Sequence, residues 1–307
     1  MPVSYQWQQR FDRWRNATRG FFGGGGGDNQ PRPKLCPSCG SLVGINATRC
    51  HACGASLRFS LAAATRGVSG LFGDENPVTR VLLYANIAMF VVTYIAGIAA
   101  GQSGFSIAFS GSGEALYRLG ASYWPAIQYF HEYYRLVTAS FLHMGLLHIG
   151  MNMMVLMDVG PQAEHEYGSA KYLFVYIFSG VGGFLLSAVR GHFAVGASAS
   201  LMGIIGVLLA MNMKRGGALA QAQKSRLISW IAMTFMIGFF PGVRIDNWGH
   251  FGGLATGFIL GRVMTDRQAV TSRERQFAQA LGWLAGLVTV VSFVLMFAHY
   301  RDPIPGR

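Results

Sequence analysis

The residues of this 307-residue sequence best equipped for chemistry are a few polar groups set among apolar runs. Ser198, in Gly196-Ala-Ser198-Ala-Ser200, offers a hydroxyl, and His250, in Asp246-Asn-Trp-Gly-His250-Phe-Gly-Gly253, offers an imidazole. Such a pair can attack a carbonyl and carry the displaced proton to a leaving group. His148 and Asn152 are four residues apart and so share a helix face. Polar residues inside apolar spans are costly, which makes each of them a functional candidate. Each residue also has a plainer role. A histidine and an asparagine one turn apart can simply tie helices together, and a serine at a helix start is ordinarily an N-cap.

A second group lies near the N-terminus. Cys36-Pro-Ser-Cys39-Gly and Cys50-His-Ala-Cys53-Gly contain all four cysteines of the chain. Two such pairs let four thiolates converge tetrahedrally on one zinc, and the glycine after each pair permits the tight turn required. A segment this short has no apolar core of its own, so the metal has to supply its folding energy. The expected ligands are Cys36, Cys39, Cys50 and Cys53, in a unit of zinc-ribbon type, with structural zinc as its cofactor and none for catalysis. Such ribbons bind nucleic acid, protein or nothing known; clustered bases that would favour nucleic acid are lacking there, so nucleic acid is not expected and a cytoplasmic protein is the partner considered.

The elements that must position the serine and histidine are membrane helices. Charged residues make up only 12% of the chain and apolar ones 51%, with 41 glycines. Too few charges remain to cover the surface of a large soluble enzyme, and a disordered or disulfide-stapled chain is excluded as well. Hydropathy predicts seven spans, at 80–101, 136–159, 172–189, 198–213, 227–240, 248–263 and 277–298. Several are shorter than the roughly 20 residues that cross a bilayer, as occurs where helices are buried among others. No carboxylate in these spans suits ion coupling, which argues against a transporter.

The charge balance is 25 Lys+Arg against 13 Asp+Glu, or +12. Lys214, Arg215, Lys224 and Arg226 fall between spans four and five, and Arg262, Arg267, Arg273 and Arg275 between six and seven. The alternate loops carry single bases such as Arg118, Arg190 and Arg244. The positive-inside rule therefore predicts a cytoplasmic N-terminus and an extracytoplasmic C-terminus. The first 20 residues lack the apolar core of a cleavable signal; Trp7, Phe11 and Trp14 instead recur at helical spacing between arginines, as in a basic surface helix. The glycine run 23–27 reads as a linker.

Depth connects the serine to the histidine. Gly253, Gly257 and Gly261 recur every four residues, and Gly203 and Gly206 line span four, so these two spans can approach closely. Ser198 stands about 24 Å along a helix from Lys214, and His250 about 18 Å from Arg262. Both belong in the outer half of the bilayer, and His148 and Asn152 enter from the same side. The aromatic-rich stretch 102–134 suits a structure lying in the headgroup region beside them.

From about residue 77 to 262 the sequence resembles the rhomboid intramembrane serine proteases. The resemblance is carried by Arg135-Leu-Val-Thr-Ala-Ser-Phe-Leu-His143, His148-xxx-Asn152, Glu164-xxx-Gly168-Ser169, Gly196-Ala-Ser198 and Gly249-His250-Phe-Gly-Gly253, in that order. It implies an all-α polytopic membrane protein with a six-helix core, here followed by a seventh helix and preceded by the zinc ribbon. It further implies a Ser–His dyad. Ser198 would be the nucleophile and His250 the base and then the acid; His148, Asn152 and the Ser198 N–H would be the oxyanion donors. Arg135 and Glu164 would be structural loop residues, Asp246 no part of the dyad, and Ser200 a weaker nucleophile. Departures from the family pattern are Ala199 after the nucleophile, Met202 where an aromatic usually packs on the histidine, and Tyr134 before Arg135. The methyl of Ala199 is expected to crowd the site, and Met202 to hold His250 less firmly.

The organisation expected is a leader and linker at 1–30, a zinc ribbon at 31–57, a connector at 58–79, a protease core at 80–263 and a seventh helix with tail at 264–307. The substrates implied are single-span membrane proteins cut near the outer face of the bilayer, with the plasma or inner membrane as the location. The competing function is a client-binding protein on the same fold with little or no proteolytic activity.

Overall fold

The computed structural model describes residues 34–36, 41–44, 47–54, 57, 76–238 and 245–302. The basic leader, the glycine run, Cys39, most of the connector and residues 239–244 lie outside the described residues.

Near the N-terminus, β1 (Lys34–Leu35) and β2 (Leu42–Val43) pair antiparallel, with Lys34 opposite Val43. Cys36, Cys50 and Cys53 are buried beside this hairpin with Val43. The rest of the described chain is helical. Long helices are α1 (Pro77–Ala99), α6 (Leu146–Tyr167), α7 (Ser169–Val189), α8 (Ser198–Lys214), α9 (Ala218–Ile237), α10 (Asn247–Val263) and α11 (Ser272–Ala298). Between α1 and α6 come the short helices α2 (Gly104–Ser110), α3 (Gly113–Arg118), α4 (Trp124–Phe130) and α5 (Arg135–Thr138), then a 3-10 turn at Ala139–Phe141. Among the described residues α1, α7 and α11 are long and apolar enough to cross a membrane, and a fourth span results if α5 and its 3-10 turn are joined to α6.

That junction corrects the expected span at 136–159. A continuous apolar run does not make a continuous helix here. The backbone breaks at residues 142–145, where Leu142 is extended, and the two pieces meet at 92°. α6 then runs on to Tyr167.

α8 is the centre of the bundle. From Ala199 to Asn212 every residue but Leu209 is buried, which explains why its sequence is apolar all round rather than amphipathic. It packs against α10, α7, α6 and α9. α9 is the loosest of these neighbours, burying only Ala220 and Leu227.

Glu164 lies inside α6, buried, and not in a loop as expected. Its carboxyl oxygens accept from the backbone N–H groups of Val78 (2.9 Å) and Thr79 (2.8 Å), the Thr79 hydroxyl (2.8 Å) and the Ser169 hydroxyl (2.7 Å). The first turn of α1, which begins at Pro77 and has no side-chain cap of its own, thus finds its acceptor 86 residues away. The same carboxyl group fixes the start of α7.

Arg135 organises the short helices on the opposite end. Its guanidinium donates to the carbonyls of Tyr117 (2.7 Å) and Ala121 (3.1 Å) and pairs with Glu132. It also stacks 4.3 Å from the Tyr117 ring centroid. Burial pushes the phenols of Tyr117 and Tyr134 up, the latter to about 12, although Arg135 pulls both down. Both rings therefore meet the cation in their neutral form. The stretch is tied to the far end of α11 by Arg118, which donates to the carbonyls of Tyr300 (3.2 Å) and Asp302 (3.3 Å), and by Tyr134 stacked on His299.

Replacing Glu164 by Ala orphans two buried N–H groups and two hydroxyls, so we expect a loss of about 3 kcal/mol or more in stability. Thermal denaturation in micelles should show it, with Glu164→Gln intermediate because its amide oxygen still accepts.

Candidate active site

Ser198 opens α8, half-buried, and His250 lies one turn inside α10, buried. What brings them together is backbone contact between the two helices. A Cβ on Gly253 would overlap the Ala199 carbonyl, and one on Gly257 would overlap Gly203. Gly261 sits 2.9 Å (from its would-be Cβ) from the Val207 carbonyl, and Gly206 2.8 Å from the Phe258 nitrogen. Both glycine series expected from the sequence are thus used on one interface. The helices meet at a separation only hydrogen side chains allow, and His250 Nε2 reaches 2.8 Å from Ser198 Oγ.

The turn before Ser198 is held from several directions. Ser122 and Ala194 form an antiparallel bridge with both N–H···O distances 3.0 Å. Gly196 N–H donates to the Ala139 carbonyl at 2.9 Å, and Ala197 N–H reaches His143 Nε2 at 3.5 Å. Gly196 has φ 128°, a conformation side chains rarely adopt, and a Cβ there would stand 2.7 Å from His148 Nε2. His148 Nδ1 accepts from the Met144 N–H at 3.3 Å. The neutral ring then carries its proton on Nε2, the nitrogen facing Gly196 and Ser198. Asn152 is buried in α6, one turn further in. Its amide donates to the His148 carbonyl at 2.9 Å, which uses one of its two N–H bonds.

The remaining expectations resolve individually. Ser200 is fully buried and bonded to Ser140 Oγ at 3.3 Å, away from the dyad. Asp246 caps α10, accepting from Gly249 N–H at 3.1 Å, and pairs with His192 at 3.6 Å. Among the described residues His250 Nδ1 has no hydrogen-bond partner. The Ala199 methyl does not crowd the dyad. It packs against α7 beside Phe184 and Ala188, and a Cβ on Gly183 would lie 2.8 Å from it. Glycine on the facing helix makes the space. Met202 is buried in α8, and the ring standing against His250 comes instead from Phe235 on α9, with centroids 6.2 Å apart.

Sequence reading missed Phe235 and also Asp158. The Asp158 carboxyl group on α6 accepts from Arg226 (2.7 Å) and the Trp230 indole (2.9 Å) on α9, and Gln162 accepts from Arg226 at 2.6 Å. The signal was present: Asp158 and Gln162 are four apart, and so are Arg226 and Trp230, which gives two matching helix faces.

In the N-terminal unit, the Cys36, Cys50 and Cys53 sulfurs lie within 4.8 Å of one another, Cys36 and Cys53 at 3.6 Å. Thiolates about 2.3 Å from one zinc in a tetrahedron are about 3.8 Å apart, so this donor set fits that ion. The separation is far too long for a disulfide.

Residues 131–267, which contain all of Ser198, His250, His148 and Asn152, match the rhomboid domain. The chain is 35% identical over 158 residues to RHOMBOID-like protein 6, mitochondrial, of Arabidopsis thaliana, covering 50% of this chain and 50% of that one. It is 34% identical over 177 residues to rhomboid protease GluP of Bacillus subtilis, covering 57% and 33%. To rhomboid-type serine protease 2 of Emericella nidulans it is 35% identical over 149 residues, covering 46% and 29%. The chain thus spans half the length of these relatives or less. The match to a rhomboid domain and the apolar helices support an integral membrane protein.

The α8–α10 contact can be tested with a pair of variants. Gly257→Ala should cost about 3 kcal/mol by overpacking against Gly203. Gly286→Ala, in α11 with open space around it, should be neutral or stabilise by up to about 1 kcal/mol. Melting of the purified proteins in micelles measures both.

Proposed function

We propose that this rhomboid domain is an intramembrane serine endopeptidase acting through a Ser198–His250 dyad on single-span membrane proteins. The observation that carries the reading is the 2.8 Å contact between His250 Nε2 and Ser198 Oγ, inside a membrane bundle. The names of the Bacillus and Emericella relatives support the same activity.

In this reading Ser198 Oγ attacks the peptide carbonyl as its proton passes to His250 Nε2. The tetrahedral oxyanion accepts from His148 Nε2–H, the Ser198 backbone N–H and the unused Asn152 N–H. Collapse breaks the C–N bond, and the imidazolium returns the proton to the leaving amine. Water, deprotonated by the same imidazole, then releases the acyl group. Dyad chemistry suits a histidine whose Nδ1 meets no carboxylate among the described residues. A stable substrate helix hides its peptide bonds, so local unwinding precedes attack.

The architecture proposed is six core spans, α1 and α6–α10, plus α11 as a seventh, with residues 80–263 as the protease unit. The α8–α9 and α10–α11 ends carry Lys214, Arg215, Lys224, Arg262 and Arg267, which supports a cytoplasmic placement for them and for the N-terminal unit, in the plasma or inner membrane. There Cys36, Cys39, Cys50 and Cys53 would hold zinc as a structural ion, stabilising the ribbon and taking no part in catalysis.

Wild-type protein in liposomes should cleave a single-span test substrate, whereas Ser198→Ala and His250→Ala should lose activity by about 10³-fold or more. Equal cleavage by all three would reject the dyad, whereas no cleavage by the wild type would favour the client-binding alternative. Metal analysis should find one zinc per chain in the wild type, and Cys50→Ser should lower that content without abolishing cleavage.

A further inference from the structure

We infer that Phe235 is a positioning residue for His250, and that the Asp158 cluster sets it in place; the inference rests on the dyad reading above. Among the described residues the His250 ring makes one hydrogen bond, from Nε2 to Ser198 Oγ, and its buried Nδ1 makes none. When Oγ becomes the ester of the acyl-enzyme, it has no proton left to share. Among these residues the ring then has no hydrogen bond holding its rotation, although it must stay aligned to deprotonate water. Packing then has to keep it there.

Phe235 supplies that packing. Its ring stands at 87° to the imidazole with centroids 6.2 Å apart, an edge-to-face arrangement that orients as well as fills space. Acylation of Ser198 leaves this contact intact, unlike the hydrogen bond. Phe235 belongs to the least embedded neighbour of α8, however, so its own position has to be fixed. Among the described residues, the inter-helix side-chain hydrogen bonds of α9 are those of Arg226 and Trp230 to Asp158 and Gln162 on α6. Trp230 precedes Phe235 by five residues, about 7.5 Å along the helix. An anchor this close sets both the height and the rotation of Phe235. Above it, Gly238 lets the Asn247 side chain of α10 pack directly on the α9 backbone.

The test uses the full chain in micelles and reads two quantities: the rate at which a fluorophosphonate probe labels Ser198, and the split of kcat from KM on a single-span substrate. Phe235→Leu should slow labelling about 10-fold or more and lower kcat with little change in KM. Phe235→Tyr, which keeps the ring, should recover to within about threefold of wild type. Asp158→Ala should also slow labelling, and combined with Phe235→Leu it should add little, because both act through one contact.

Phe235→Leu labelling at the wild-type rate or faster, or an effect confined to KM, would mean that the side chain governs access and would overturn the inference. So would a tyrosine variant as slow as leucine. If Phe235→Leu melts early, the tyrosine and Asp158 variants still decide, since wild-type labelling in Asp158→Ala breaks the proposed chain of contacts. Wild-type protein left unlabelled at Ser198 would remove the dyad reading itself; labelled wild type with indifferent Phe235 variants would remove this inference alone.

Discussion

The structure depends on one steric constraint: α8 and α10 touch backbone to backbone. Gly253 and Gly257 face Ala199 and Gly203 with no room for a methyl group between them. Within a bilayer apolar side chains gain nothing by leaving lipid, so helices associate through close van der Waals contact, and glycine maximises it. The contact also decides geometry. Ser198 begins one helix and the His250 imidazole lies one turn into the other, so the interhelical distance sets whether a proton can pass between them. Stability and the proposed chemistry therefore draw on the same glycines.

Around this pair the polar residues divide into fasteners. Glu164, near the end of α6, joins the starts of two other helices, Arg135 gathers the carbonyls of the short-helix layer, and Lys214 donates to the Gly261 carbonyl at 2.9 Å where α8 and α10 end. Each uses a charge to satisfy backbone groups at a helix terminus or bend, where lipid offers no replacement. The turn before Ser198 is similarly overdetermined, bridged to Ser122, to Ala139 and to His143. Its Gly196 conformation persists because the surrounding bonds leave it no alternative.

Much of the site was legible in the sequence because a polar residue in an apolar run is conspicuous. Ser198, His250, His148 and Asn152 stood out on that ground, and the four-residue glycine spacing told which helices meet. Depth could be counted along each helix because helical rise is fixed. The break at residues 142–145 was not legible: Phe141, Leu142 and Met144 are as apolar as the helices on either side, and hydropathy carries no information about a bend. Glu164 was misread as a loop residue because its partners are backbone N–H groups 86 residues away, which no local pattern reveals. The room beside Ala199 depended on Gly183 of another helix, a pairing that only the packed structure displays.

The ties from Arg118 to the carbonyls of Tyr300 and Asp302 have a temporal consequence. Arg118 belongs to the layer that braces the Ser198 turn, yet its partners are synthesised more than 180 residues later. While the ribosome is still extruding α11, Ser198 and His250 have been made but the brace is incomplete. Final fastening of the short-helix layer thus waits for α11 to emerge and pack.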